Sequence, residues 1–154
     1  MTNLSSKVLK ALEGKTLVTA ESCTGGGVGA ALTSVPGSSA VFKGGIIAYT
    51  DEMKHDHLGV RGPLLLREGA VSEEVAAAMA KGAREKLQAD VAVSVTGLAG
   101  PDGDDRGNPV GLVYIGYSDS RGEDTISFLY SGDREEIRQQ AIKSALEFVL
   151  IHNY

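Results

Sequence analysis

Residues 16–34 read TLVTAESCTGGGVGAALTS, and this stretch decides the fold class. The run from Thr16 to Ala20 is short and β-branched, which predicts a buried strand. Glycines at positions 25 to 27 mark a loop, and the small residues that follow, up to about Ser34, predict a helix. A strand that feeds a glycine-rich loop and a helix is typical of an α/β sheet. The free N–H groups at the start of such a helix suit an anion or an oxyanion, although a tight turn without a ligand explains the glycines equally well.

Strands and helices alternate on both sides of this stretch. Apolar spacing predicts a first helix over residues 5–12, and Ser72 is a good N-cap for an alanine-rich helix that follows it. The other predicted strands are 45–49, 91–95, 110–117 and 125–130, and the other predicted helices are 51–58 and 134–150. This order predicts a three-layer α/β/α sandwich with a mixed, mostly parallel sheet and an antiparallel strand pair near the C-terminus. We expect residues 1–154 to form a single domain.

Composition narrows the classes of function. The chain has 154 residues, of which 42% are hydrophobic, enough to bury a core without disulfides. A single cysteine, Cys23, and an N-terminus without an apolar signal core predict a cytoplasmic location. No apolar run approaches the roughly 20 residues that cross a bilayer, so we expect no membrane association. A net charge of -5 without a basic stripe argues against a nucleic-acid partner and favours a small-molecule ligand.

The glycine-rich loop also matches a dinucleotide-binding pattern. Gly25, Gly27 and Ala30 fit G-x-G-x-x-A, and Asp51 follows about 20 residues later, as in NAD-binding folds. Four residues separate the predicted strand from the glycines, however, and Pro36 limits the helix to about two turns. Binding of NAD through these residues is kept as an alternative.

A second glycine-rich loop, TGLAGPDG at residues 96–103, follows a predicted buried strand. Open α/β sheets bind their ligands at such strand ends. The loop is not a calcium loop, because Arg106 and Val113 stand where oxygen ligands would be needed. His55 and His57 are two residues apart, whereas paired metal ligands on a helix lie four apart. We therefore expect neither a metal nor a cofactor.

The shortage of histidine limits the choice of a general base. If the chain is a hydrolase, its base is expected to be a lysine or a carboxylate, and a lysine serves only when burial or a nearby cation lowers its pKa. Taken singly, the other candidates have ordinary interpretations. Cys23 is a small buried filler, Ser39 caps a helix, Lys54 is a surface lysine and Tyr49 is a core tyrosine with a wet hydroxyl.

Seven separated motifs change this interpretation when they are taken together. They are ESCTGG (21–26), PGSSAVF (36–42), IAYTDEMK (47–54), LGV (58–60), GAVSEEVA (69–76), TGLAGPDG (96–103) and NPVGLVYIG (108–116). In this order they resemble the CinA C-terminal domain family, and the resemblance covers most of the chain. Two departures are the lack of any counterpart to the N-terminal domain of longer members and Thr50-Asp51 where the family often has asparagine second.

The resemblance implies an activity and a set of residues. Family members with an assigned activity hydrolyse the carboxamide of nicotinamide mononucleotide to nicotinate mononucleotide and ammonia, a step of pyridine nucleotide salvage. Carried over by motif, the nucleophile falls on Ser39, the base on Lys54 and a proton relay on Tyr49. The implied substrate-binding residues are Ser22, Thr24, Gly25, Gly26, Thr96 and Gly97, and Arg134 is a candidate for the phosphate.

We predict a homo-oligomer, a dimer or larger, that takes a small nucleotide as substrate, and the activity that the resemblance implies needs no metal. A rival hypothesis is a binding module of the same fold that holds a nucleotide without chemistry.

Overall fold

The computed structural model describes all 154 residues. In chain order its elements are α1 (Thr2–Ala11), β1 (Leu17–Glu21), α2 (Gly27–Thr33), β2 (Phe42–Ile47), α3 (Asp51–Leu58), α4 (Gly62–Glu68), α5 (Glu73–Lys86), β3 (Val91–Gly97), β4 (Leu112–Asp119), β5 (Gly122–Leu129) and α6 (Arg134–Ile151). A short 3₁₀ turn at Ser38–Ala40 precedes β2. None of the helices is long and apolar enough to cross a bilayer.

The five strands form one mixed sheet in the order β2-β1-β3-β4-β5. β1 pairs in parallel with both β2 and β3, whereas the β3–β4 and β4–β5 pairs are antiparallel. The chain leaves β1 toward β2 on one side and returns to β3 on the other, so β1 lies at a topological switch point. The predicted fold class, a three-layer α/β/α sandwich with an antiparallel strand pair near the C-terminus, is confirmed.

Alternate residues of β1 pack into two separate apolar layers. Leu17 belongs to the core that also contains residues of α1, α2 and α6, and Val18 and Ala20 belong to the core beneath α3, α4 and α5. Because successive side chains of a strand point to opposite faces, a strand buried on both sides reads as a continuous apolar run. This burial explains why β1 contains hardly any charged residues, with Glu21 at its end as the exception.

Side-chain caps fix where three of the helices begin. Thr50 and Ser72 accept hydrogen bonds from the backbone N–H groups three residues on, at the starts of α3 and α5. Asp133 and Glu136 form a reciprocal capping box at the start of α6. The sequence analysis did not predict α4, a seven-residue helix whose three consecutive leucines carry no helical periodicity.

Gly82 lies where α5 passes closest to the end of α3. A Cβ atom at this position would lie 1.7 Å from the carbonyl oxygen of Leu58. We expect Gly82→Ala to lower the free energy of unfolding by about 1–3 kcal/mol, because backbone must move to admit the methyl group. Urea denaturation would measure this change.

Gly62→Ala is the matched control for Gly82→Ala. An added Cβ at Gly62, also in a helix, meets nothing within 4 Å. Gly62 is the first residue of α4 and precedes Pro63, so alanine gains little helix propensity there, and the control should change the free energy of unfolding less than Gly82→Ala. A Gly82→Ala protein as stable as wild type would contradict the close approach of α5 to α3.

Candidate active site

A cavity of about 910 Å³ opens at the carboxyl ends of the three parallel strands. Ser22 follows β1, Tyr49 lies two residues after β2, and Thr96 and Gly97 end β3. The backbone N–H of Ser22 donates to Val95 of β3 at 3.0 Å, which brings the ends of β1 and β3 together. α3, α4 and the loop after β3 supply the remaining walls. Its volume is that of an ordinary small-molecule site.

Lys54 and Ser22 meet inside this cavity. The Lys54 Nζ atom lies 3.0 Å from Ser22 Oγ, 3.0 Å from the Ala48 carbonyl oxygen and 3.3 Å from the Tyr49 carbonyl oxygen. The two side chains are buried, since Lys54 is 1% exposed and Ser22 is 7% exposed. α3 places the lysine, because Thr50 caps the helix and sets its first turn against the end of β2. The Ser22 hydroxyl, which can act as a nucleophile, and the Lys54 amine therefore lie within proton-transfer distance.

Burial sets the protonation behaviour of Lys54 and Cys23, two titratable groups beside Ser22. It lowers the pKa of Lys54 below the ordinary lysine value, an effect that the negative charge of Asp51 partly offsets. Burial also raises the pKa of the Cys23 thiol to about 11, so Cys23 is a neutral thiol at pH 7. This state fits the interpretation of Cys23 as a small buried filler rather than a thiolate nucleophile.

Glu21 anchors the loop that carries Ser22. Its buried carboxylate accepts hydrogen bonds from the Thr24 hydroxyl at 2.8 Å and from the backbone N–H groups of Val28 and Gly29 at 2.8 and 3.1 Å. The sequence pattern suggested that the N–H groups at the start of α2 bind an external anion. In the structure they donate to the Glu21 carboxylate instead. In the NAD alternative a pyrophosphate would need this same position, and Glu21 fills it.

The structure does not bring Ser39, the predicted nucleophile, to Lys54. Ser39 is exposed in the 3₁₀ turn before β2, whereas Lys54 follows the other end of that strand. Six residues of β2 span about 20 Å, so the two side chains lie at opposite ends of this strand. Ser39 does not line the cavity. The serine that contacts Lys54 is Ser22, which the prediction had assigned to substrate binding.

Tyr49 and Arg134 form a second polar pair at the cavity. The Tyr49 side chain is 59% exposed, and its hydroxyl accepts a hydrogen bond from Arg134 Nη2 at 3.1 Å. Arg134 Nη1 also donates to the carbonyl oxygen of Gly100, in the loop after β3. Tyr49 contacts Lys54 only through its backbone carbonyl, so the phenol is not placed as a relay between Lys54 and a serine.

The predicted substrate-binding residues divide into two groups. Those that line the cavity are Ser22, Thr96, Gly97 and Arg134. Those that do not are Thr24, Gly25 and Gly26. Thr24 turns inward to Glu21, and Gly26 is the left-handed N-cap of α2, with φ of 98°. Thr96 lies on the cavity wall, where its hydroxyl donates to the Ala70 carbonyl at 2.8 Å.

Arg106 is a site residue that no sequence pattern indicates. It lines the cavity, and its guanidinium donates to the carbonyl oxygens of Leu66 and Arg67 at the C-terminal end of α4. A basic group at a helix C-terminus is favoured by the helix dipole. The missing signal was α4 itself, because without that helix Arg106 had no predicted partner. No group of three histidine, cysteine, aspartate or glutamate side chains is placed to hold a metal ion.

Comparison with known proteins gives a consistent family. The family model described as the CinA C-terminal domain matches residues 1–152. A putative competence-damage inducible protein of Halothermothrix orenii is 48% identical over 151 residues, covering 96% of this chain and 37% of the relative. Nicotinamide-nucleotide amidohydrolase PncC of Escherichia coli strain K12 is 46% identical over 147 residues, covering 94% of this chain and 89% of the relative. The chain thus spans about a third of the length of several relatives it matches and most of the length of PncC.

Solved structures agree with this assignment. The competence/damage inducible protein CihA of Agrobacterium tumefaciens has a TM-score of 0.95 at 39% identity, with 99% of this chain and 95% of that chain covered. A CinA superfamily protein of Enterobacter cloacae has a TM-score of 0.96 at 32% identity, with 99% of this chain and 92% of that chain covered. The resemblance drawn from the seven motifs is confirmed, and the chain belongs to the CinA C-terminal domain family.

Proposed function

We propose that this chain is an amidohydrolase that removes the carboxamide nitrogen of nicotinamide mononucleotide as ammonia. The observation that carries the proposal is the 3.0 Å contact between Lys54 Nζ and Ser22 Oγ in a cavity large enough for a nucleotide. The name of the Escherichia coli relative, nicotinamide-nucleotide amidohydrolase, supports the choice of substrate.

Ser22 is the proposed nucleophile. Its Oγ attacks the carboxamide carbon while its proton passes to Lys54, and a tetrahedral intermediate with a negative oxygen forms. Lys54 returns the proton to the nitrogen, and the C–N bond breaks. Ammonia departs, and Ser22 remains as an acyl-serine. Water then adds to the acyl carbon while Lys54 takes its proton. The bond from that carbon to Ser22 Oγ breaks, Lys54 returns the proton to Oγ, and nicotinate mononucleotide departs.

The surroundings of Lys54 suit a neutral amine acting as a base. A neutral amine has two N–H donors and one lone pair. The carbonyl oxygens of Ala48 and Tyr49 accept the two N–H groups, which leaves the lone pair to face the hydroxyl of Ser22. Burial favours this neutral form, because it penalises the ammonium charge. A buried lysine takes the role of general base that histidine has in many serine hydrolases.

The backbone after Ser22 offers donors for the negative oxygen. The N–H groups of Cys23 and Thr24 have no acceptor in the protein. In serine hydrolases the residue after the nucleophile commonly donates its N–H to the oxyanion. Cys23 lines the cavity, and we assign this role to its amide.

Two arginines on the cavity wall are candidates for the phosphate. Arg134, the predicted residue, is held by Tyr49 and by the Gly100 carbonyl, and Arg106 is held at the end of α4. In each case the guanidinium is fixed in place at the cavity, as charge-assisted recognition of a phosphate requires. Tyr49 is thereby proposed to position Arg134 rather than to relay a proton.

An assay of ammonia release tests the proposed function. We expect the purified protein to release ammonia from nicotinamide mononucleotide and far less from nicotinamide or nicotinamide riboside, which lack the phosphate. The rival hypothesis of a binding module predicts instead that nicotinamide mononucleotide raises the melting temperature while no ammonia appears. The homo-oligomer, the cytoplasmic location and the single-domain organisation stay predictions.

A further inference from the structure

Arg138 contacts the loop that carries Ser22 although it does not line the cavity. It lies on α6, and its Nε donates to the Cys23 carbonyl oxygen at 3.1 Å. Its Nη2 donates to the Thr24 carbonyl oxygen, also at 3.1 Å. The remaining Nη1 forms an ion pair with Glu135 at 3.0 Å. The planar guanidinium thus holds two consecutive peptide groups directly after the nucleophile.

Peptide planarity passes this hold on to the N–H groups of the loop. In a trans peptide the N–H of one residue points opposite to the C=O of the residue before it. Fixing the Cys23 carbonyl therefore fixes the Thr24 N–H, and fixing the Thr24 carbonyl fixes the Gly25 N–H. The Gly25 N–H donates to the Ser22 carbonyl at 3.0 Å, which in turn fixes the Cys23 N–H.

Charge adds to this orientation. The positive charge of Arg138 strengthens its hydrogen bonds to the Cys23 and Thr24 carbonyls. Glu21 holds the same loop from the other side through the Thr24 hydroxyl and the start of α2. Glu21 is buried with the core, whereas the Arg138 side chain is 31% exposed, so Arg138 is the contact that can be removed with less cost to the fold.

We propose that Arg138 is a positioning residue, which orients the Cys23 N–H group toward the negative oxygen of the tetrahedral intermediate. This inference rests on the proposed amidohydrolase function. Arg138 touches no substrate and transfers no proton. Its effect is confined to the step in which the oxyanion develops, so it changes kcat rather than substrate binding.

Replacement of Arg138 by alanine tests the proposal. We expect Arg138→Ala to lower kcat for ammonia release by about 10²-fold, the loss seen when one oxyanion donor is removed, with KM changed less than about threefold. Added methylguanidinium should restore part of kcat, because the vacated position is open to solvent. Arg138→Lys should retain an intermediate kcat, since an ammonium can reach one carbonyl but lacks the planar fork.

Glu135→Gln is the matched control. It removes the charge that pairs with Arg138 and leaves both contacts to the Ser22 loop in place. We expect its kcat to match wild type. A kcat for Arg138→Ala within about twofold of wild type, or an equal loss in Glu135→Gln, would overturn the proposal. A loss of kcat in Arg138→Ala that methylguanidinium does not restore, and that is proportional to the fraction of unfolded protein, would also overturn the proposal.

Amide hydrogen exchange separates this inference from the proposed function. Arg138→Ala should speed exchange of the Gly25 amide relative to Glu135→Gln, whether or not the protein is an amidohydrolase. If wild type releases no ammonia, the proposed function fails even when exchange responds as expected. If wild type is active and neither kcat nor exchange responds to Arg138→Ala, the role assigned to Arg138 fails alone.

Discussion

Ser22→Ala is expected to abolish ammonia release, whereas Ser39→Ala leaves it near the wild-type rate. Removing the nucleophile of a serine hydrolase costs about 10⁴-fold or more in kcat, because the acyl intermediate can no longer form. The measurement is ammonia release from nicotinamide mononucleotide at saturating substrate. The two variants differ only in which serine has lost its Oγ atom.

The reason lies in which edge of the sheet each serine occupies. Ser22 follows β1, and Lys54 follows β2, and because these strands are parallel their carboxyl ends meet at one edge. Ser39 precedes β2 and lies at the opposite edge. No local movement of an exposed turn brings Ser39 across the sheet to the Lys54 amine.

Stability controls distinguish loss of chemistry from loss of fold. Ser22 Oγ contacts only Lys54, so its removal leaves no other polar group unpaired, and the melting temperature should change little. The reverse result, an inactive Ser39→Ala and an active Ser22→Ala, would refute the assignment of the nucleophile. Equal activity of both variants would refute a serine mechanism altogether.

The sequence was sufficient to predict the sheet and its layers. β1 is a short apolar run because both of its faces are buried. The N-cap residue Ser72 predicts the start of α5. β4 and β5 read as a strand pair. α4 was not predicted, because a helix of seven residues makes fewer than two turns and its sequence has no helical periodicity. Its boundaries depend on Pro63 and Gly69, which read equally well as turn residues.

The candidate site was predicted in part, and the error has a physical cause. The family motifs indicated Lys54, Ser22 and Thr96 as site residues, and all three line the cavity, whereas residue types alone gave Lys54 as a surface lysine. The choice between serines depended on topology, because only parallel pairing of β1 with β2 makes Ser22 a neighbour of Lys54. The strand-end rule that placed the second loop would have favoured Ser22 over Ser39, had it been applied to both. Contacts such as Arg138 with Cys23 span 115 residues and leave no local pattern in the sequence.

Lys54→Met should reduce kcat/KM for ammonia release by about 10²–10⁴-fold, the usual contribution of a general base. Methionine keeps the length and apolar stem of the side chain but cannot accept a proton. Lys54→Arg should be equally inactive, because a guanidinium stays charged at any working pH. Lys43→Met is the control, since Lys43 is an exposed lysine of β2 that contacts only the carbonyls of Leu87 and Gln88.

The pH dependence of kcat/KM tests whether the neutral form of Lys54 is the base. Catalysis needs neutral Lys54, so wild-type kcat/KM should rise with pH and level off above the pKa of Lys54, which burial places below the ordinary value of 10.5. The residual activity of Lys54→Met should lack this acidic limb. An unchanged limb in that variant would assign the titration to another group and remove Lys54 as the base.

Stability should follow the same titration, because the lysine binds its proton less tightly in the folded state than in the unfolded chain. Between the folded-state pKa and the unfolded value, the unfolded chain holds more protons, so the free energy of unfolding rises with pH. Below the folded-state pKa both states are charged and the burial penalty is fully present. The stability of wild type relative to Lys54→Met should therefore increase as pH rises through this window, and urea denaturation at a series of pH values measures it. A difference that stays constant across the window would mean that Lys54 keeps an ordinary pKa in the folded protein, and a lysine of ordinary pKa cannot serve as the base for Ser22 at neutral pH.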